Sequence, residues 1–257
     1  MLKLNQRFLI LNFSPWPIIT SLNVGNLLFS LIISYKYFIL INSLGLFLSI
    51  MAWLNEIKLE SIYMGEHSLK QNEMLYFGFL LFLLSEILIF ATLIGSYFYN
   101  TINPSIELFN KYPYDGIIAI DKYSYPTSNT FILYLSGLSC TIAINSLYLK
   151  KKNKAFNYLI ITLIFSTIFS YIQYIEYKNA PFSIIDGIYG TNFFILTGFH
   201  GIHVICGTLF LIYTAYRIYF NIFTIDNSTG IICSSIYWHF VDYLWLILYI
   251  FLYLWGS

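Results

Sequence analysis

The chain has 257 residues, of which 58% are hydrophobic and only 10% charged, with a formal net charge of +1 and a mean hydropathy of +0.71. Soluble domains carry about a quarter charged residues, so there is too little polar side chain here to coat a water-facing surface. The near-neutral balance, with no basic tail or arm, gives no argument for nucleic acid as a partner, and the long apolar runs point to one polytopic membrane bundle.

A spanning helix needs about 20 mostly apolar residues, and seven segments qualify. The first covers roughly 16–35, opened by Pro15 and Pro17 and closed near Lys36. The second, roughly 37–55, follows a very short turn and ends at the polar NEIKLES. The third, roughly 74–100, stops before Pro104 and holds Glu86 near its midpoint. A long polar loop precedes the fourth, roughly 127–149, which starts behind Pro126 and ends at the basic KKKNK. The fifth (about 155–178) and sixth (about 188–219) are separated by NAPFSIIDG, and the seventh runs from about 231 to 255. The N-terminal stretch lacks the Arg- and Ser-rich amphipathic pattern of a transit peptide and a small-residue cleavage site, so the first apolar run is expected to be a permanent span.

Charge bias orients such a bundle. With seven spans, Lys3, Arg7, Lys58, Lys70, Lys150, Lys151, Lys152, Lys154 and Arg217 share the N-terminal side; Lys36, Lys111, Lys122 and Lys178 lie opposite. The excess places the N-terminus inside, which in a mitochondrion is the matrix. The loop at roughly 101–125 mixes acids and aromatics and reads as a packed outer surface loop. Heavy use of Phe, Tyr, Ile, Asn and Lys suggests AT-rich coding, as in an organelle genome.

Four features carry possible chemistry. A charge at the centre of a span costs about 2.5–3.5 kcal/mol on translocon scales, and intramembrane ionisable groups are usually functional. Glu86 therefore reads as a proton-linked or partner-contacting acid, against the simpler reading of a group hydrogen-bonded to Ser85 or a backbone carbonyl. In TGFHGIHVICG, His200 and His203 are three apart and share a helix face. With no nearby carboxylate or cysteine they make an incomplete metal site, and packing with hydrogen bonding is favoured over metal or haem. Gly198, Gly201 and Gly207 beside them suggest close helix approach, as small residues permit in membranes. In YWHFVDYLWL, His239 and Asp242 are again three apart and are expected to pair locally, as a structural pair rather than a relay. EYKNAPFSIIDGIYG is a dense polar stretch in which Glu176 and Asp186 serve a partner interface or are solvated.

Other chemistry is missing. Cys140, Cys206 and Cys233 are widely separated in apolar runs, without a C-x-x-C or Cys/His spacing for zinc, and read as small packing residues. There is no cysteine pair for a binuclear copper centre and no phosphate-cradling loop. By its residues the chain looks like a non-catalytic membrane component.

The motifs SPWP (14–17), ES-x-x-x-G-x-H (60–67), GFLLFLLSEILIF (78–90), EY-x-x-APF-x-I-x-DG-x-YG (176–190), TGFHG-x-HV-x-x-G (197–207), YWHFVD-x-x-WL-x-LY (237–249) and WGS (255–257) occur in order across nearly the whole chain. Together they resemble subunit III of cytochrome c oxidase, the haem–copper oxidase of mitochondria and aerobic bacteria. That resemblance implies an all-α membrane fold of seven helices. A two-helix segment (1–73) and a five-helix bundle (74–257) would flank a V-shaped, lipid-filled cleft.

The resemblance also implies a function. Such a chain holds no redox centre or metal of its own; haem a, haem a3, CuA and CuB belong to partner subunits. It packs with subunits I and II and accessory subunits of respiratory complex IV. There it supports electron transfer from cytochrome c to oxygen and proton pumping, by sustaining proton uptake and bound lipids. The implied location is the mitochondrial inner membrane, with the plasma membrane of an aerobic bacterium as the other setting. Glu86 matches the family's buried glutamate, which reacts with hydrophobic carbodiimides. Glu60, His67 and Arg217 match positions that contact phospholipid headgroups such as cardiolipin or another anionic lipid, and basic side chains suit phosphate. His200, His203, His239 and Asp242 match structural polar residues. Tyr76, Leu59, Glu66 and the pair Ile144–Asn145 depart from residues common in the family. Two other readings are a quinol oxidase subunit III, against which the first two spans and SPWP count, and a proton-coupled transporter working through Glu86. Transporters show inverted repeats and helices broken at the midplane; neither is visible.

Overall fold

The computed structural model describes residues 13–62, 69–104, 112, 116–220 and 229–256. Their regular structure is entirely helical, and seven helices are long and apolar enough to cross a membrane. In chain order these are α1 (Trp16–Ile33), α2 (Lys36–Ile62), α3 (Leu69–Ile102), α4 (Tyr125–Tyr148), α5 (Lys152–Asn179), α6 (Gly187–Tyr219) and α7 (Thr229–Leu248). A π-helical run, Tyr249–Trp255, continues α7. All seven expected spans are present. α2 and α3 reach further than expected because their flanks, NEIKLES and LKQNE, are rich in Glu, Lys, Leu and Gln, good helix formers that extend a helix into the polar boundary.

The chain divides into two compact units, Met1–Leu75 and Tyr76–Ser257. The first contains α1 and α2. Pro17 sits in the first turn of α1, where its missing N–H costs nothing. Ser34 closes the helix in a left-handed conformation, φ 57°, which lets the chain reverse within two residues. The two helices are then joined by polar side chains. Asn23 Nδ2 donates to the Gly45 carbonyl at 3.2 Å and to Ser49 Oγ at 3.1 Å, and Asn42 Nδ2 donates to the Asn26 carbonyl at 3.2 Å. Ser14 Oγ donates to the Glu56 carboxylate. In lipid, where apolar surface gives no drive for helices to associate, such bonds and close packing hold helices together.

The second unit packs α4 against α5, α6 against α7, and these pairs against each other. Its core centres on Trp238, Trp245, Tyr253, Phe169, Leu133 and Leu211, all buried. Hydroxyls again bridge helices: Ser139 to Thr162 at 2.7 Å, Tyr177 to Thr197 at 2.7 Å and Thr214 to Ser234 at 3.0 Å. The two buried indoles each find a hydroxyl, Trp238 Nε1 donating to Ser136 and Trp245 Nε1 to Thr130, both at 3.1 Å. α3 turns one stripe toward this core, Leu83, Phe90 and Tyr97 at seven-residue spacing. Tyr97 closes the contact by donating to the Phe251 carbonyl at 3.0 Å.

Candidate functional site

Glu86 lies on the same stripe as Leu83 and Phe90, so the packing of α3 turns its carboxyl inward. It meets His203 of α6, Oε2 to Nε2, at 2.9 Å. Neither Ser85 nor a backbone carbonyl is its partner: the Ser85 hydroxyl donates instead to the Phe82 carbonyl one turn back, at 2.7 Å. The helical spacing of Ser85 directs it away from the core stripe. Side-chain exposure is 18% for Glu86 and 11% for His203. Phe90 packs edge-on against the imidazole with centroids 5.2 Å apart, and Tyr237 stacks on it at 6.3 Å.

The hydrogen bonds fix the proton count of this pair. His203 Nδ1 lies 2.8 Å from the Phe199 carbonyl, which only accepts, so Nδ1 carries a hydrogen. A 2.9 Å contact between Nε2 and a carboxyl oxygen then holds one proton, on either atom. In both cases the pair is electrically neutral as a whole. That is how the helix pairing lowers the cost of an acid at the centre of an apolar span.

His200 does not join it. It is 1% exposed, between Phe169 and Trp245 at centroid distances of 5.8 and 5.2 Å, and neither ring nitrogen has a hydrogen-bond partner. Of the two histidines on one face, α3 reaches only His203. Among the described residues no group of three or more His, Cys, Asp or Glu side chains is gathered as for a metal ion.

The His239–Asp242 pairing is looser than the spacing suggests. Nδ1 and Oδ2 are 3.9 Å apart, beyond hydrogen-bond length, because His239 reaches across to α4, where Nε2 meets Thr141 Oγ1 at 3.2 Å. Asp242 is held over Gly137, where a Cβ would collide with Oδ2. Sequence reading missed Gly137, which has no glycine-rich context to announce it. It also pointed to close approach at three glycines of α6. Only Gly207 has one, where a methyl group would meet Trp238 at 3.0 Å; Gly198 and Gly201 face open space.

Glu176 is neither solvated nor at an outer surface. It is 1% exposed and its Oε1 accepts from Tyr253 at 2.5 Å. Around it Asn129 Nδ2 donates to Gln173 Oε1 at 3.2 Å. Position near the end of a span hid this burial, since only tertiary packing shows which face of α5 meets the π-helical run. Asp186 accepts from the Ser183 backbone N–H at 2.7 Å and orders the turn into α6. Cys140 and Cys233 are buried and Cys206 exposed. Of the positions expected to contact lipid, Glu60 is buried in the first unit at 8% exposure and Arg217 is half-buried in the last turn of α6. His67 lies outside the described residues.

Seven apolar helices whose interior is stitched by hydroxyls and a mid-span carboxyl–imidazole pair define a multi-pass integral membrane protein. A family model described as cytochrome c oxidase subunit III matches residues 6–257. The cytochrome c oxidase subunit 3 of Schizophyllum commune is 37% identical over 250 residues, covering 95% of this chain and 93% of the relative. That of Papio hamadryas is 37% identical over 248 residues, 95% of each chain, and that of Drosophila melanogaster is 36% identical over 257 residues, 98% of each. The chain belongs to the cytochrome c oxidase subunit III family.

Proposed function

We propose that the chain is a non-catalytic core subunit of cytochrome c oxidase. In this role it sustains electron transfer from cytochrome c to oxygen, and the coupled proton pumping, by supporting subunit I, its proton uptake and its bound lipids. The family match across residues 6–257, which takes in all seven spans, carries this reading. Haem a, haem a3, CuA and CuB then belong to partner subunits. The excess of Lys and Arg on the N-terminal side supports a matrix-facing N-terminus in the mitochondrial inner membrane.

Within that role Glu86 and His203 act as a proton-sharing pair inside the bundle, and His200, His239 and Asp242 as structural polar groups. Glu60, His67 and Arg217 contact lipid headgroups. The position of Arg217 in the last turn of α6 supports contact with a lipid phosphate. Purification in mild detergent tests the function: the chain is expected to migrate with haem a and copper, and its isolation as a lone protein would overturn the reading. A transporter working through Glu86 would lose transport outright in a Glu86→Gln variant. An oxidase subunit keeps initial oxygen reduction.

A further inference from the structure

A recess of about 250 Å³ opens between α4 and α7 in the second unit, with Gly137, Thr141, His239 and Asp242 among its lining residues. Asp242 Oδ1 is buried without a hydrogen-bond partner. Oδ2 faces His239 Nδ1 across 3.9 Å, too far for a direct bond. Both side chains are held where they are. His239 is tied to α4 through Nε2, which meets Thr141 Oγ1 at 3.2 Å. Drawing Nδ1 about 1 Å nearer to the carboxyl would stretch a contact already at the long end of the range. Asp242 lies against the Gly137 backbone, with Oδ2 in the space that a Cβ would take. Away from this floor the lining turns apolar, with Leu133, Leu138 and Leu246.

One water molecule spans such a gap. With hydrogen bonds of about 2.8 Å to each side, its oxygen reaches two groups 3.9 Å apart without moving either. It needs only about 10–15 Å³ of room and two to four polar partners. It also fits every protonation state of the pair. When the Thr141 hydroxyl donates to the Gly137 carbonyl, 3.0 Å away, its oxygen accepts from Nε2–H and Nδ1 is an acceptor, to which water donates. In the other tautomer water accepts from Nδ1–H. A neutral carboxyl donates to water, and an ionised one accepts from it. An ammonium or guanidinium group only donates and so fits the acceptor states alone. Acyl chains offer no hydrogen bond, and among the described residues no three metal-ligating side chains gather here.

We infer that the floor of the recess is a binding site for one ordered water, which bridges Asp242 and His239 Nδ1. Carboxyl, water, imidazole and the Thr141 hydroxyl then form one hydrogen-bonded line from α7 to α4. The line joins the two helices by more than the single Thr141 contact and satisfies polar groups that lie within a membrane span.

Electron microscopy of the assembled complex, at a resolution that shows ordered water, tests it directly. The expected result is an isolated density within hydrogen-bond reach, about 2.7–3.2 Å, of both His239 Nδ1 and an Asp242 oxygen. A direct Asp242–His239 bond would overturn the inference. So would a lipid atom or a side chain of another subunit in that place, or no density there while other buried waters are seen. A second measurement reads the water itself. Infrared spectra of the complex in ordinary and heavy-oxygen water are expected to differ by a bound-water O–H band that is lost in Asp242→Leu. Identical isotope-sensitive bands in variant and wild type would overturn it. The microscopy uses the unsubstituted protein, so poor assembly of the variant leaves that result standing. A chain that purifies without haem a would overturn the proposed function, and the density in its recess would still decide this inference.

Discussion

Glu86 of α3 and His203 of α6 share one proton across 2.9 Å, with the Nδ1 side of the imidazole held by the Phe199 carbonyl. This contact joins two helices more than a hundred residues apart and turns two costly groups into one neutral unit. Glu86→Gln preserves it, because the amide donates to Nε2 where the carboxyl did. Glu86→Leu leaves Nε2 buried without a partner, at a cost of about 1–3 kcal/mol. Thermal retention of the chain in detergent-solubilised complex is therefore expected to fall for the leucine variant and to stay near wild type for the glutamine variant.

Gly137 and Gly198 separate a glycine that packing requires from one it does not. A methyl group on Gly137 collides with the Asp242 carboxylate, whereas one on Gly198 meets nothing within 4 Å. Gly137→Ala is expected to force α4 and α7 apart and destabilise the bundle by about 1–3 kcal/mol. Gly198→Ala is neutral or slightly stabilising, since alanine is the better helix former by about 1 kcal/mol. Melting of the purified complex distinguishes the two.

The seven helices were legible because an apolar run of membrane length is a one-dimensional signal. The site was legible only in part. Sequence marked Glu86 by its cost and His203 by its spacing, but nothing local says that α3 lies beside α6, and so their pairing was not foreseen. The same gap explains Glu176, which looks like a loop-end acid in sequence and is enclosed by Tyr253 in space. It also explains His239, whose partner Thr141 lies on another helix. Polar residues that pair within one helix can be guessed from spacing, whereas those that pair between helices require the packing.

Trp238 and Ser136 offer a measurement of one interhelical bond. The indole is completely buried and its Nε1 donates to the hydroxyl at 3.1 Å. A double-mutant cycle of Trp238→Phe and Ser136→Ala is expected to give a coupling of about 0.6 kcal/mol, and no more than about 1.7, as for other hydrogen bonds between membrane helices. Unfolding equilibria of the four variants in mixed micelles supply the cycle.

Glu176 and Tyr253 test whether a buried acid depends on a single donor. The tyrosine hydroxyl donates to Oε1, while Oε2 has no partner. Tyr253→Phe removes the donor and leaves both carboxyl oxygens unsatisfied in a site that is 1% exposed, at a cost of about 1–3 kcal/mol or more if the group is charged. Glu176→Leu in the same background removes the orphaned group and fills the space with an apolar side chain of related shape, which can be nearly neutral. The double variant Glu176→Leu/Tyr253→Phe is therefore expected to be more stable than Tyr253→Phe alone. Thermal melting of the complex checks the order, and a double variant that melts below the single one would show that Glu176 is held by more than the tyrosine.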